Sequence, residues 1–157
     1  MVENNSLSLT KLIERLKQIK AKDIMTADVI TVKKDDSLTD VAELMIKNRI
    51  SGFPVMEGGV IIGIITANDL FLVMDMIKTG EVLKDYETDY SRPKVSFAMS
   101  TEVISINPEG SLDEIISLMK YRNIHTLPVI FQNKLVGVIG RRDIFKSFYC
   151  AIRDLIL

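Results

Sequence analysis

The chain has 157 residues, 47% of them hydrophobic, enough to bury a core as one ordinary domain or as two small fused ones. Its 20 basic and 21 acidic residues nearly cancel, which argues against a general polyanion binder such as a non-specific nucleic-acid protein. With one cysteine, Cys150, and one histidine, His125, neither an internal disulfide nor a zinc site of clustered imidazole and thiolate ligands can be assembled.

The opening residues, with Glu3, are polar and lack an apolar core ahead of a small-residue cleavage site, so no secretory signal is expected. The longest apolar stretches, Val60 to Ile65 and Leu70 to Met74, fall far short of the roughly 20 residues a membrane span needs. A soluble, cytoplasmic protein without membrane association is the expectation. Leu9, Leu12, Ile13, Leu16 and Ile19 predict an amphipathic helix that docks on the rest of the chain or on a second copy.

Beyond this helix the sequence repeats itself. A shift of 74 positions lays Met25 on Met99 and keeps register without a gap from about residue 23 to residue 145. Val29-Ile30 meets Val103-Ile104, Ser37-Leu38 meets Ser111-Leu112, and Leu44-Met45 meets Leu118-Met119. Pro54-Val55 then meets Pro128-Val129, Gly63 meets Gly137, and Asp69 meets Asp143. One supersecondary unit is used twice, and the domains follow as an N-terminal helix over 1–20, repeats over 21–78 and 95–157, and a polar linker over 79–94 containing Gly80 and Pro93.

Each repeat reads β-α-β-β-α. The opening strand is Val29 to Val32, or Val103 to Ile106, and a helix starts after Ser37 or Ser111, with Asp40 or Glu114 placed to complete a capping box. Val41, Leu44 and Met45, like Ile115, Leu118 and Met119, share one helical face. Two apolar strands follow, Phe53 to Met56 with Val60 to Ile65, and Leu127 to Phe131 with Leu135 to Ile139. In the closing helix of the second repeat, Ile144, Phe145, Phe148, Ala151, Ile152, Leu155 and Ile156 form a stripe that needs a partner. The fold class is therefore α/β (α+β), with two units too small to stand alone packed sheet against sheet as a pseudo-twofold pair.

The segment richest in chemistry is Gly63-Ile-Ile-Thr66-Ala67-Asn68-Asp69, a strand running into a helix. Thr66 and Asp69 fit a plain helix cap; the same geometry also offers free backbone N–H groups beside a carboxylate, suited to a phosphate or to sugar hydroxyls. The second copy, Gly137-Val-Ile-Gly140-Arg141-Arg142-Asp143, keeps the acid and loses the cap hydroxyl. Its two arginines stand where a helix dipole disfavours them, so they are either solvated surface charges or phosphate ligands.

Catalysis finds little support. Cys150 sits on the apolar stripe of the last helix, beside Ala151 and Phe148, with His125 the one imidazole to activate it, and no Gly-rich Walker loop or G-x-S-x-G elbow occurs. The adjacent acids Asp35-Asp36 precede a helix, whose start already accounts for them.

The doubled order of strand, capped helix, Pro-Val strand and G-h-h-[ST]-x-x-D turn resembles a cystathionine β-synthase (CBS) domain pair, also called a Bateman module. The resemblance covers all but about the first twenty residues and the linker. It implies a regulatory, non-catalytic module that binds AMP, ADP or ATP in a cleft between the repeats, needs no cofactor, and signals to an effector protein; S-adenosylmethionine and NADH are further candidate ligands. One site would join Thr66 and Asp69 to Ser100, Ile104, His125 and Thr126, and the other would join Arg141, Arg142 and Asp143 to Thr26, Ile30, Ser51 and Gly52. In this reading Asp69 and Asp143 hold ribose hydroxyls and backbone groups near Ile50 and Ile124 read the adenine edge. The arginines and His125 face phosphates, although His125 reads equally well as a structural residue with a backbone partner.

The sequence departs from the family pattern at Gly140 and at Ala67-Asn68, which implies that the two sites differ in affinity. No tryptophan or tyrosine occupies the base-stacking positions. Homodimerisation is implied through the closing helices, by Leu70, Phe71, Val73 and Met74 and by Phe145 and Phe148. A ligand-free dimerisation or scaffold module is the alternative, since the apolar stripe and the N-terminal helix serve it equally well.

Overall fold

The computed structural model describes residues 2–80 and 92–156, with side chains described over 9–80 and 92–154. Most of the predicted linker, and the side chains of Leu155 and Ile156, lie outside the described residues. In chain order the elements are α1 (Val2–Gln18), α2 (Ala21–Ile24), α3 (Leu38–Asn48), β1 (Gly52–Glu57), β2 (Val60–Thr66), α4 (Ala67–Thr79), α5 (Val95–Ala98), α6 (Leu112–Tyr121), β3 (Thr126–Phe131), β4 (Lys134–Gly140) and α7 (Arg141–Ile156). They form two compact units, one of residues 30–103 and one of residues 1–29 with 104–157.

Within the unit of residues 30–103, β1 and β2 pair antiparallel from Gly52 opposite Thr66 to Glu57 opposite Val60, with a register shift between Val55 and Met56. The turn at Gly58-Gly59 is left-handed at both positions (φ 57° and 81°), as a two-residue hairpin loop requires. The second hairpin, β3 with β4, repeats the register from Thr126 opposite Gly140 and shifts at the equivalent place, between Val129 and Ile130. Gln132 and Asn133 take the same left-handed turn without glycine (φ 48° and 62°).

The predicted opening strands contract to single parallel bridges, Val32 to Val55 and Ile106 to Val129. The Val32 amide donates to the Pro54 carbonyl (3.1 Å) and its carbonyl accepts from the Met56 amide (2.9 Å). Immediately afterwards the Asp36 carboxylate accepts from the Lys33 amide (2.7 Å) and turns the chain toward α3, which ends the pairing. Asp35 pairs with Lys94 at 3.0 Å, and that ammonium holds its carboxyl below the ordinary value. Both of the adjacent acids are thus engaged locally.

Ser37 and Ser111 cap α3 and α6 as expected, their hydroxyls accepting from the amides of Asp40 (3.1 Å) and Glu114 (3.2 Å). Among the described residues neither acid reaches back to its serine, so only half of each predicted box forms. Helix α4 runs to Thr79 and stops at Gly80 (φ 73°), whose left-handed backbone lets its amide turn back to the last carbonyls.

The core of the unit of residues 30–103 gathers Val32, Leu38, Val41, Met45, Phe53, Val55, Ile65, Val73 and Val95, with Leu70 packed against it. The other unit buries Ala21, Ile106, Ile115, Met119, Leu127, Val129 and Ile139, joined by Ile144. Here α1 packs on α6 and α7, with Leu12, Leu16 and Ile19 half-buried and Leu9 and Ile13 exposed. The predicted stripe of α7 divides, because Ala151 is buried while Phe145 and Phe148 are exposed; Tyr149, outside the stripe, is exposed as well. On α4 the exposed apolar residues are Phe71, Leu72, Met74 and Ile77, while Val73 is spent on its own core.

Candidate ligand-binding turns

Strand β2 enters α4 through Thr66, which has extended backbone and caps the helix. The Asp69 carboxylate accepts through one oxygen, Oδ2, from both the Thr66 amide and the Thr66 hydroxyl, each at 2.7 Å. The Asp69 amide donates to the hydroxyl across a long 3.4 Å. The cap reading of this motif is therefore correct. It also leaves Oδ1 without a hydrogen bond among the described residues, on a half-exposed side chain at the start of a helix.

Two further segments flank this turn in the same unit. On one side Gly52 pairs with Thr66, and the Ser51 carbonyl accepts from the Ala67 amide (2.8 Å). On the other side Ser100 bridges to Ile64, the two residues exchanging hydrogen bonds of 2.9 Å. That approach is possible because residue 63 is glycine: a Cβ there would lie 2.8 Å from the Ser100 carbonyl oxygen. Ile50 is exposed just after α3, and Ile30 is half-buried against the core.

The unit of residues 1–29 with 104–157 builds the matching turn. The Asp143 carboxylate accepts from the Gly140 amide at 2.7 Å, the same reach that Asp69 makes, with no hydroxyl to add. Thr26 bridges to Val138 with hydrogen bonds of 2.9 and 3.0 Å, as Ser100 does to Ile64. Gly137 admits Met25 as Gly63 admits Ser100, since a Cβ at Gly137 would lie 2.4 Å from the Met25 sulfur. Thr126 is buried opposite Gly140, Ile104 and Ile124 pack on the core, and Arg141 and Arg142 are exposed.

His125, on the exposed approach to β3, sets its Nε2 3.2 Å from the side-chain oxygen of Asn123, not against a backbone partner. Partial burial, and then the charge of Arg141, hold its imidazole below the ordinary value of 6.5.

The first predicted residue set thus divides: Ser100 lies with Thr66 and Asp69, while Ile104, His125 and Thr126 belong to the other unit. The second set divides likewise, Thr26 lying with Arg141, Arg142 and Asp143, and Ile30, Ser51 and Gly52 in the unit of residues 30–103. Sequence reasoning missed the roles of Gly63 and Gly137. A glycine at the same place in two apolar strands was the available signal, because it marks close backbone approach. Among the described residues no three His, Cys, Asp or Glu side chains gather as a metal site, and no helix is long and apolar enough to cross a membrane.

Comparison with known proteins agrees with this architecture. The CBS-domain protein YhcV of Bacillus subtilis is 36% identical over 123 residues, 78% of this chain and 81% of its own length. The inosine-5'-monophosphate dehydrogenase of Korarchaeum cryptofilum is 28% identical over 96% of this chain, which spans only 29% of that enzyme. Among solved structures, the CBS domain pair of protein MJ0100 in complex with 5'-methylthioadenosine and S-adenosylmethionine aligns with a TM-score of 0.71 at 24% identity, over 84% of this chain and 97% of that one. CBSX2 in complex with AMP aligns with a TM-score of 0.69 at 20% identity, over 83% and 96%. The CBS domain model matches residues 21–75 and 94–149. The chain belongs to the CBS domain family and carries two copies of the domain.

Proposed function

We propose that this chain is a non-catalytic regulatory module that binds an adenosine nucleotide, AMP, ADP or ATP, and passes the occupancy to an effector protein in the cytoplasm through a change of conformation or association. The functional repeats are residues 21–78 and 95–157. The observation that supports this most is the doubled strand-to-helix turn, in which one carboxylate oxygen of Asp69 and of Asp143 holds the turn while the other has no hydrogen bond among the described residues. A ribose diol suits such an oxygen. Ligands reported with proteins of this fold, AMP in one and 5'-methylthioadenosine with S-adenosylmethionine in another, belong to the same chemical class. Matched dehydrogenase sequence covers too little of that enzyme to carry its activity here.

The test is a thermal-shift panel of the purified protein with AMP, ADP, ATP, S-adenosylmethionine, NADH and GMP. A ligand of the native state raises the melting temperature by mass action. A rise with an adenosine compound that is lost when Asp69 and Asp143 are both changed to alanine supports the reading; a flat panel sinks it.

One observation favours a second reading, a dimerisation scaffold. Phe71 (66% exposed), Met74 (62%), Phe145 (69%) and Tyr149 (63%) put large apolar side chains on the outer faces of α4 and α7. Self-association through these faces serves either reading, so a dimer in light scattering with a flat ligand panel would favour the scaffold.

A further inference from the structure

Two short segments each tie a helix cap to a hairpin, and each is built as a strap. The first runs from Lys20, bridged to Ser111, through α2 to Thr26, bridged to Val138. The second runs from Lys94, bridged to Ser37, through α5 to Ser100, bridged to Ile64. Each strap lies wholly within one compact unit, the first in that of residues 1–29 with 104–157 and the second in that of residues 30–103. Each holds a single helical turn and buries one side chain fully, Ala21 or Val95. A helix of one turn has little stability of its own, so contacts at its ends hold the strap in place.

The residue before each far bridge is methionine. Met25 and Met99 close α2 and α5, and each lays its side chain over a glycine of the neighbouring strand. A Cβ at Gly137 would lie 2.4 Å from the Met25 sulfur and 2.8 Å from its Cγ; one at Gly63 would lie 3.0 Å from the Met99 sulfur and 3.4 Å from its Cγ. The thioether thus takes the place of the side chain that the strand lacks. The four residues between Lys20 and Met25 all differ from those between Lys94 and Met99, yet the methionine is the same in both straps. Met45 and Met119 are buried in the two cores, and Met74 stands exposed on α4. Met25 and Met99 are half-buried, open enough for a small oxidant and packed closely enough for a change at sulfur to be felt.

We propose that Met25 and Met99 make the two straps a peroxide-sensitive latch. Hydrogen peroxide transfers one oxygen to the thioether: an S–O bond forms, the O–O bond breaks, the sulfur is oxidised by two electrons and the peroxide leaves as water. The sulfoxide is larger and polar, so it gives up its seat over the glycine for solvent. What then holds the far end of each strap is one bridge, Thr26 with Val138 at 2.9 and 3.0 Å or Ser100 with Ile64 at 2.9 Å each way. The strap opens from that end. A sulfoxide reductase reverses the step, two of its thiols becoming a disulfide as the oxygen leaves in water. The latch stands on the fold alone and holds whatever the strand-to-helix turns bind.

The experiment exposes the full chain to graded hydrogen peroxide and maps sulfoxide at each methionine by peptide mass spectrometry. Melting temperature is followed together with hydrogen exchange at the bridge amides of Thr26, Val138, Ile64 and Ser100. As Met25 and Met99 are oxidised, those amides should exchange about tenfold faster or more and the melting temperature should fall by at least about 4 °C. Methionine sulfoxide reductase should restore both. Met25→Leu with Met99→Leu keeps the volume nearly constant and should abolish the response, while Met74→Leu should leave it intact. The proposal is overturned if exchange and melting hold after both methionines are oxidised, if both stay reduced while Met74 is consumed, or if the loss follows oxidation of Met74 or Cys150 instead. If the leucine pair does not fold, the wild-type correlation and its reversal by the reductase decide between the same outcomes.

Discussion

Replacing Gly63 by alanine tests whether the Ser100 segment is held against β2 as described. The added Cβ would stand 2.8 Å from the Ser100 carbonyl oxygen and 3.0 Å from the Met99 sulfur. The sulfur lies on a flexible side chain and can move, but the oxygen belongs to backbone. Restoring an ordinary contact of about 3.4 Å means retracting that carbonyl by roughly half an ångström, and the same oxygen accepts the Ile64 amide at 2.9 Å. The bond would stretch to the edge of hydrogen-bonding distance. Loss of one such bond costs about 1 kcal/mol, and an overpacked methyl costs about 1–3, so a total of at least about 2 kcal/mol is expected. For a chain of this length that lowers the melting temperature by at least about 4–8 °C.

The assay is differential scanning calorimetry of Gly63→Ala beside Gly59→Ala. Gly59 has nothing within 4 Å of an added Cβ but sits at φ 81°, so its alanine carries only the backbone cost, about 1 kcal/mol. The Gly63 variant should melt below the Gly59 variant, and it should also bind ligand at the Asp69 turn more weakly, because Ser100 lies beside that turn. A Gly63→Ala melting temperature within about 1 °C of wild type would refute the placement of the Ser100 segment.

Three other outcomes are expected. Gly140→Thr should stabilise the free protein by about 0.5–1 kcal/mol in urea unfolding, because the Cβ fits and the hydroxyl completes a cap that Asp143 already half-forms; the same change should weaken AMP by crowding the turn. His125 is held below 6.5 in the folded chain while the unfolded chain titrates at its ordinary value, so its contribution to stability is complete above pH 6.5 and is lost as pH falls toward the folded value. His125→Gln should flatten that part of the pH dependence in urea unfolding measured from pH 7.5 to 5. Phe71→Ser with Phe145→Ser removes two exposed rings that contribute little to the monomer core, so the melting temperature should hold while any dimer seen by light scattering dissociates.

The repeat, the hairpins and the caps were legible in the sequence because they are local. Period, turn chemistry and a hydroxyl three residues before an acid act within a few residues of one another, and the structure places the four hairpin strands within one residue of their expected ends, although the opening strands contract to single bridges. What was not legible is which segments share a compact unit. Residues 21–29 read as the opening of the first repeat, yet Thr26 bridges to Val138 and Met25 lies over Gly137, in the unit of the second hairpin. In return, Ser100 opens the second repeat and bridges to Ile64.

Self-similarity cannot distinguish these pairings, because two equivalent strands accept two equivalent segments with the same hydrogen bonds and the same glycine. Only the chain's path decides between them. That ambiguity bears on the site as well. The spacing of Thr66 and Asp69 fixes a carboxylate turn from sequence alone, but the segment bridged beside that turn comes from Ser100, thirty-one residues beyond Asp69. The chemistry that separates the two turns, by contrast, lies within four consecutive residues of each. Their difference in charge therefore rests on positions that sequence and structure assign identically, and it would stand even if the flanking segments were exchanged.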